Sequence, residues 1–213
     1  MGGVCSRKRD QQGDEDPVRR GVSGKYCKSG SSKWLGTSIS WPVVECHLGG
    51  GNSPSLIELC VYKIREDIDK YSSFSMLPRD ISQQIFNELV YSQCLSDVSL
   101  EDFRDCALQD ICLGEYPGVT DSWMDVISSQ GSSLLCVDLS NSDVTDYGLS
   151  LLKDCSNVQA LSFSCCDQIS EHGLKHISGF SNLASLSFKK SNAVTAEGMH
   201  AFSSLVNLVK LDL

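Results

Sequence analysis

Five apolar residues constrain the fold of this chain more than any other feature. Leu108, Leu134, Val158, Leu183 and Leu208 follow one another at intervals of 26, 24, 25 and 25 residues. Each introduces an apolar-x-apolar pair: Ile111/Leu113, Val137/Leu139, Leu161/Phe163, Leu186/Phe188 and Leu211/Leu213. Val119, Val144, Ile169 and Val194 then recur at 25-residue steps, as do Met124, Leu149, Leu174, Met199 and Ile127, Leu152, Ile177, Phe202. Gly148, Gly173 and Gly198 form another column, with Trp123 in the first copy. A period kept by several columns at once describes a short strand, a turn and a helix, none of which can bury its apolar edge alone. The fold class expected is α/β: a solenoid with a curved parallel sheet and helices, over residues 106–213.

The rest of the chain divides in two. Residues 1–54 are rich in Gly, Ser, Lys and Arg, lack an apolar period and end in a Gly-Gly-Gly-Asn-Ser-Pro breaker, so they read as a disordered arm and linker. The island Trp34-Leu35, Ile39, Trp41 to Val44 is apolar enough to lean on the body. Residues 55–105 turn helical. Ser55 with Glu58 makes a capping box, and Leu56, Leu59, Cys60, Ile64 and Ile68 fall on one helical face. Leu77-Pro78 ends that helix and starts a second, with Pro78 in its first turn and a stripe of Ile81, Ile85, Phe86 and Leu89.

Charge separates along the same lines. The formal net charge of −9 resolves into +4 over residues 1–33 and −13 over residues 34–213. An acidic body is a poor partner for phosphate, which excludes nucleic-acid binding. No apolar run approaches a membrane span, and no secretory signal precedes the eleven cysteines. The thiols are therefore expected free, in a reducing compartment and mostly buried.

The repeat resembles the cysteine-containing class of leucine-rich repeats, of plant-like type, with the motif L-x-x-L-x-L-x-x-C-x-x-I-T-D-x-G-L best matched by Val158 to Leu174. The family's ladder column reads Tyr116, Asn141, Cys166 and Ser191, and Tyr116 makes the first copy a half-cap. The chain stops at Leu211-Asp212-Leu213 within a repeat strand and without a polar cap, so a truncated solenoid of about four and a half repeats is expected.

Three motifs bear on function. Met1-Gly2-Gly3-Val4-Cys5-Ser6 fits M-G-x-x-x-[ST], which points to myristoylation at Gly2 and a second acyl site at Cys5, beside Arg7-Lys8-Arg9. Anchoring would place the chain on the cytoplasmic face of the plasma membrane; without it the expectation is cytoplasm or nucleus. Leu56, Cys60 and Ile64 resemble the elongin C-binding box of cullin ubiquitin-ligase receptors, with Leu77-Pro78 at the distance of a cullin-selecting segment. Leu77 and Pro78 with Ile81, Ile85, Phe86 and Leu89 also resemble the opening of an F-box, which binds a Skp-type adaptor, although the later V-C-x-x-W element is missing. Either resemblance implies an adaptor and a cullin as partners; equally, these helices would serve to cap the first repeat.

Box followed by repeats is the layout of cullin-RING substrate receptors, and the resemblance implies that the repeats hold an unknown protein target. The concave face would offer Asp110, Cys112, Cys136, Asp138, Ala160, Ser162, Ser185, Ser187, Lys210 and Asp212, small or mildly acidic and without an aromatic anchor. That face either binds the target or is simply solvated. His172/His176, Cys165-Cys166 and Cys46-His47 lack the spacing of a metal site, and no nucleophile elbow, P-loop or dinucleotide motif occurs. The reading is a non-enzyme with no cofactor, metal or small-molecule substrate. The alternative to the ligase receptor is a membrane-tethered repeat scaffold.

Overall fold

The computed structural model describes residues 54–191, 195 and 198–213. Gly2, Cys5, the Trp34 to Val44 island, Cys46-His47 and Val194 lie outside them. The apolar-x-apolar pairs build one five-stranded parallel sheet: β1 (Asp110–Cys112), β2 (Cys136–Asp138), β3 (Ala160–Ser162), β4 (Ser185–Ser187) and β5 (Lys210–Asp212), in sequential order. Ile111, Val137, Leu161, Leu186 and Leu211 pair in one row across it. The connections carry α4 (Asp121–Ser129), α5 (Asp146–Leu151), α6 (Glu171–Ile177) and a 3-10 segment, Gly198–Ser204. One strand and one helix per coil of 24–26 residues is the leucine-rich-repeat solenoid.

The apolar columns fill the space between sheet and helices. Leu134, Leu139, Val144, Leu149, Leu152 and their counterparts one coil on are at most 2% exposed. Exposure rises in the last coil, where Met199, Leu211 and Leu213 are open.

Polar ties join successive coils. The Asp121 carboxylate accepts from the Thr145 backbone N–H (2.8 Å) and hydroxyl (2.6 Å), and Asp146 repeats this with Ser170 (2.7 and 2.6 Å). Thr145 and Ser170 are the residues that cap α5 and α6 with their hydroxyls. Each carboxylate thus holds the helix start of the following coil. The glycine column follows from this: a Cβ at Gly148 or Gly173 would collide with the Oδ1 of Asp121 or Asp146. On the opposite turn Asn157, Asn182 and Asn207 donate to the carbonyls of Ser132, Ser156 and Ser181 at 2.8, 3.1 and 2.7 Å.

The ladder column needs one correction. The interval from β1 to β2 is 26 residues and from β2 to β3 is 24, which shifts the second coil by one. Ser142, buried and 3.6 Å from the Cys166 thiol, occupies the ladder position, while Cys166 also donates to the Leu139 carbonyl at 3.2 Å. Asn141 is exposed and belongs with Glu115, Cys165 and Lys190 in a left-handed turn column, φ 55–64°. Asn suits that conformation best of the four.

Three helices precede the sheet: α1 (Leu56–Glu66), α2 (Arg79–Tyr91) and α3 (Asp97–Glu101). The Ser55/Glu58 capping box starts α1, and a 3-10 turn, Ile68–Lys70, follows it. Pro78 sits just before α2 rather than inside its first turn. Phe74, Phe86 and Phe103 form an aromatic centre, with Phe103 4.9 Å from Phe74 and 5.3 Å from Phe86. Gln83 closes the edge of the sheet. Its Oε1 accepts from the N–H groups of Gln109 (3.0 Å) and Asp110 (3.2 Å), and its Nε2 donates to the Asp110 carbonyl (2.7 Å). One carboxamide supplies the donor and acceptors that a neighbouring strand would supply.

The two departures in the first coil have the same origin. Tyr116 donates to the Leu95 carbonyl (2.8 Å), and the Trp123 indole N–H donates to the Asp97 carboxylate. Both reach the helical region, because no coil precedes them.

Two stability measurements test these ties. In urea unfolding, Gln83→Ala should cost about 1–3 kcal/mol, since three part-buried backbone groups lose their partner. Gly173→Ala should cost about 1–3 kcal/mol by overpacking, although helix propensity alone favours Ala. In an Asp146→Ala background that cost should fall by more than about 0.5 kcal/mol; strict additivity would show that the carboxylate is not the obstacle.

Candidate protein-interaction site

The outer face of α1 carries an open apolar row. Helical geometry separates LIELCVYKIRE into two faces. Val61 is buried, and Ile64 and, just beyond the helix, Ile68 are half-buried, against the core. Arg65 fixes the same side to α2 through a 2.7 Å ion pair with Glu88. On the other side Leu56 is 76% exposed and Leu59 52%, with Cys60 exposed next to them. Leu56, Leu59, Cys60 and Lys63 recur at i, i+3, i+4 and i+7, the spacing by which a helix presents anchors to a groove. Met76 (92%) and Leu77 lie open on the segment before α2.

This division differs from the single face expected from sequence. Ile64 and Ile68 point inward while Leu56, Leu59 and Cys60 point out. A helix that is apolar on most of its circumference does not reveal from periodicity which face its neighbour takes.

The second box divides more sharply. Ile85, Phe86 and Leu89 are at most 1% exposed, and Ile81 is half-buried against the same core. A partner cannot reach Ile85, Phe86 or Leu89 without displacing α2 from the sheet. Among the α2 residues expected to bind an adaptor, none offers an open apolar side chain; Leu77 and Pro78, ahead of the helix, are exposed.

On the concave face the outer rows are β1 Asp110 and Cys112, then β2 Cys136 and Asp138. Cys112 is exposed, and Asp110, Cys136 and Asp138 are half-buried. Ser162 and Ser187, expected to face a partner, are buried, as are Ala160 and Ser185. The first two spend their hydroxyls inside the sheet: Ser162 pairs with Ser140 (2.8 Å), which also donates to Asp138 (2.7 Å), and Ser187 pairs with Ser164 (2.9 Å). Asp212 holds Lys189 at 2.7 Å. Lys210 is exposed. The row is therefore a hydrogen-bonded chain across strand ends, and its open part is confined to β1, β2 and β5.

Of the eight described cysteines only Cys106, Cys155 and Cys166 are buried, fewer than expected from the sequence. Burial pushes the Cys106 and Cys155 thiols up to about 11. Burial also raises the Asp110 carboxyl above the usual range. His172 and His176 are exposed on α6, and among the described residues no group of three His, Cys, Asp or Glu side chains is arranged to hold a metal ion. No described helix is long and apolar enough to cross a membrane.

Together these features define a repeat solenoid with a helical region closing its first edge. No protein-family model matches the sequence, and no curated protein matches it. Solved structures similar to this chain include the Rad7 and Elc1 complex in yeast, at 19% identity and TM-score 0.35, over 76% of this chain and 46% of that one. An internalin (inlF) from Listeria monocytogenes is 18% identical at TM-score 0.33, over 55% of this chain and 44% of that one. The chain therefore spans less than half the length of either structure.

Two measurements separate surface from core. Phe86→Ala should destabilise by about 3–5 kcal/mol, whereas Leu56→Asp should change unfolding by no more than about 0.5 kcal/mol. In the native protein iodoacetamide should modify Cys60 and Cys94 quickly and leave Cys106, Cys155 and Cys166 unmodified, as read by peptide mass spectrometry.

Proposed function

We propose that this chain is a protein-interaction module rather than an enzyme: the substrate-recognition subunit of a cullin-RING ubiquitin ligase that docks its adaptor through α1. The observation that carries the reading is the open row Leu56, Leu59, Cys60 on a capped helix whose other face is fixed to α2. That row favours an elongin C-type adaptor over a Skp-type one, because the F-box-like stripe on α2 is spent on the fold. Leu56 would enter an apolar pocket of the adaptor, Cys60 would allow close approach, and Leu77-Pro78 would face the cullin. The solenoid would hold the protein destined for ubiquitin-dependent degradation, with Asp110, Cys112 and Asp138 on its accessible part. Co-purification tests the reading: the full chain should retain elongin C, and Leu56→Asp with Leu59→Asp should abolish retention while the melting temperature stays unchanged. Recovery of neither adaptor would overturn it.

A second reading, a repeat scaffold without ligase function, is favoured by the use of α2 as a cap. Both readings share an acylated N-terminus at Gly2 and Cys5, which would put the protein on the cytoplasmic face of the plasma membrane; without acylation it would reside in cytoplasm or nucleus. A single myristoyl chain anchors weakly, so Arg7-Lys8-Arg9 or a Cys5 acyl chain would supply the second signal. Gly2→Ala should shift the protein from the membrane to the soluble fraction, and an unchanged distribution would contradict anchoring.

A further inference from the structure

Few side chains fix α1 to the rest of the protein. Within the helix only Val61 is buried, and Ile64 is half-buried against the core. Apolar contact of that extent leaves the rotation of a helix about its own axis loosely set. Arg65 adds the one side-chain hydrogen bond and ion pair that lead from α1 to another element among the described residues: its guanidinium meets the Glu88 carboxylate at 2.7 Å. Lys63 instead spends its ammonium on Glu66 and Asp67, at the end of its own helix.

The geometry of this pair suits it to hold an angle. The two side chains are only 24% and 23% exposed, so salt screens them less than a fully exposed pair. The guanidinium also lies 4.2 Å from the centroid of the Tyr62 ring, one turn back on α1, which restricts its rotamer before Glu88 is met. Arg65 follows Leu56 by about two and a half helical turns and therefore stands on the opposite side of α1. Leu59 and Cys60 share the side of Leu56. Glu88 belongs to α2, which Gln83 ties to the backbone of Gln109 and Asp110. A line of contacts thus runs from β1 through Gln83, Glu88 and Arg65 to the open row.

We propose that Arg65 is a positioning residue for adaptor docking: paired with Glu88, it sets the rotation of α1 that turns Leu56, Leu59 and Cys60 outward, without touching the adaptor itself. The inference rests on the adaptor reading of α1. Docking of an apolar row then depends on an ion pair on the far side of the helix, and it inherits the salt sensitivity of that pair.

The test is a calorimetric titration of elongin C into the full chain, as wild type, as Arg65→Glu and as the exchanged pair Arg65→Glu/Glu88→Arg. Arg65→Glu sets two carboxylates against each other and should weaken binding at least about tenfold, whereas the exchanged pair should return to within about threefold of wild type. Between about 50 and 500 mM NaCl, wild-type affinity should fall while that of Arg65→Glu rises, because salt weakens an attraction in one and a repulsion in the other. Loss of packing alone would give neither the recovery nor the change of sign. Hydrogen exchange checks that Arg79–Tyr91 stays protected in each variant. Should Arg65→Glu fail to fold, Glu88→Gln, which removes one charge and keeps the shape, takes its place and should weaken binding about threefold. A wild type without affinity for elongin C would overturn the adaptor reading and this inference with it. If the wild type binds, equal binding by the folded variant, or a loss that the exchanged pair does not recover, would overturn the positioning role alone.

Discussion

A parallel sheet that adds one strand per coil leaves the backbone of its first strand unpaired, and the way this edge is closed governs the rest of the molecule. Gln83 meets the N–H groups of Gln109 and Asp110 and the Asp110 carbonyl with a single carboxamide. Placing it there commits α2 to the end of the sheet and drives Ile85, Phe86 and Leu89 into the core. With α2 spent in this way, α1 becomes the outermost layer, and its Leu56, Leu59 and Cys60 remain in solvent. Capping thus falls to α2 and the open apolar row to α1, and the hydrogen-bonding requirement of one strand decides which.

Within the solenoid, the same economy of partners explains residues that pure hydrophobic periodicity leaves unexplained. Asp121 and Asp146 each satisfy the helix start of the following coil, and the glycine one coil on provides the space for the carboxylate. Where the neighbour is a helical region instead of a coil, Trp123 takes the glycine position and reaches Asp97, and Tyr116 takes the ladder position and reaches Leu95. The departures from the repeat are therefore its boundary condition.

The solenoid was legible because each apolar column is a one-dimensional signal: Leu108, Leu134, Val158, Leu183 and Leu208 need no knowledge of neighbours. The ladder was less so, since unequal intervals around β2 exchange the positions of Asn141 and Ser142. The Asp–Thr/Ser tie left a readable trace in the spacing from Asp121 to Thr145 and from Asp146 to Ser170, but only together with the glycine that makes room for it. The faces of α1 and α2 were not legible, because a stripe such as Ile81, Ile85, Phe86 and Leu89 serves a partner's groove and a protein core equally well. Gln83, a polar residue on that stripe, gave no periodic signal at all.

Hydrogen exchange on the full-length chain, with and without elongin C, tests the division between the two helices most directly. α2 should be protected before the adaptor is added and stay so, while Leu56–Glu66 should gain protection only in its presence. Slow exchange in α1 that elongin C leaves unchanged, or adaptor-induced changes concentrated in Arg79–Tyr91, would contradict it.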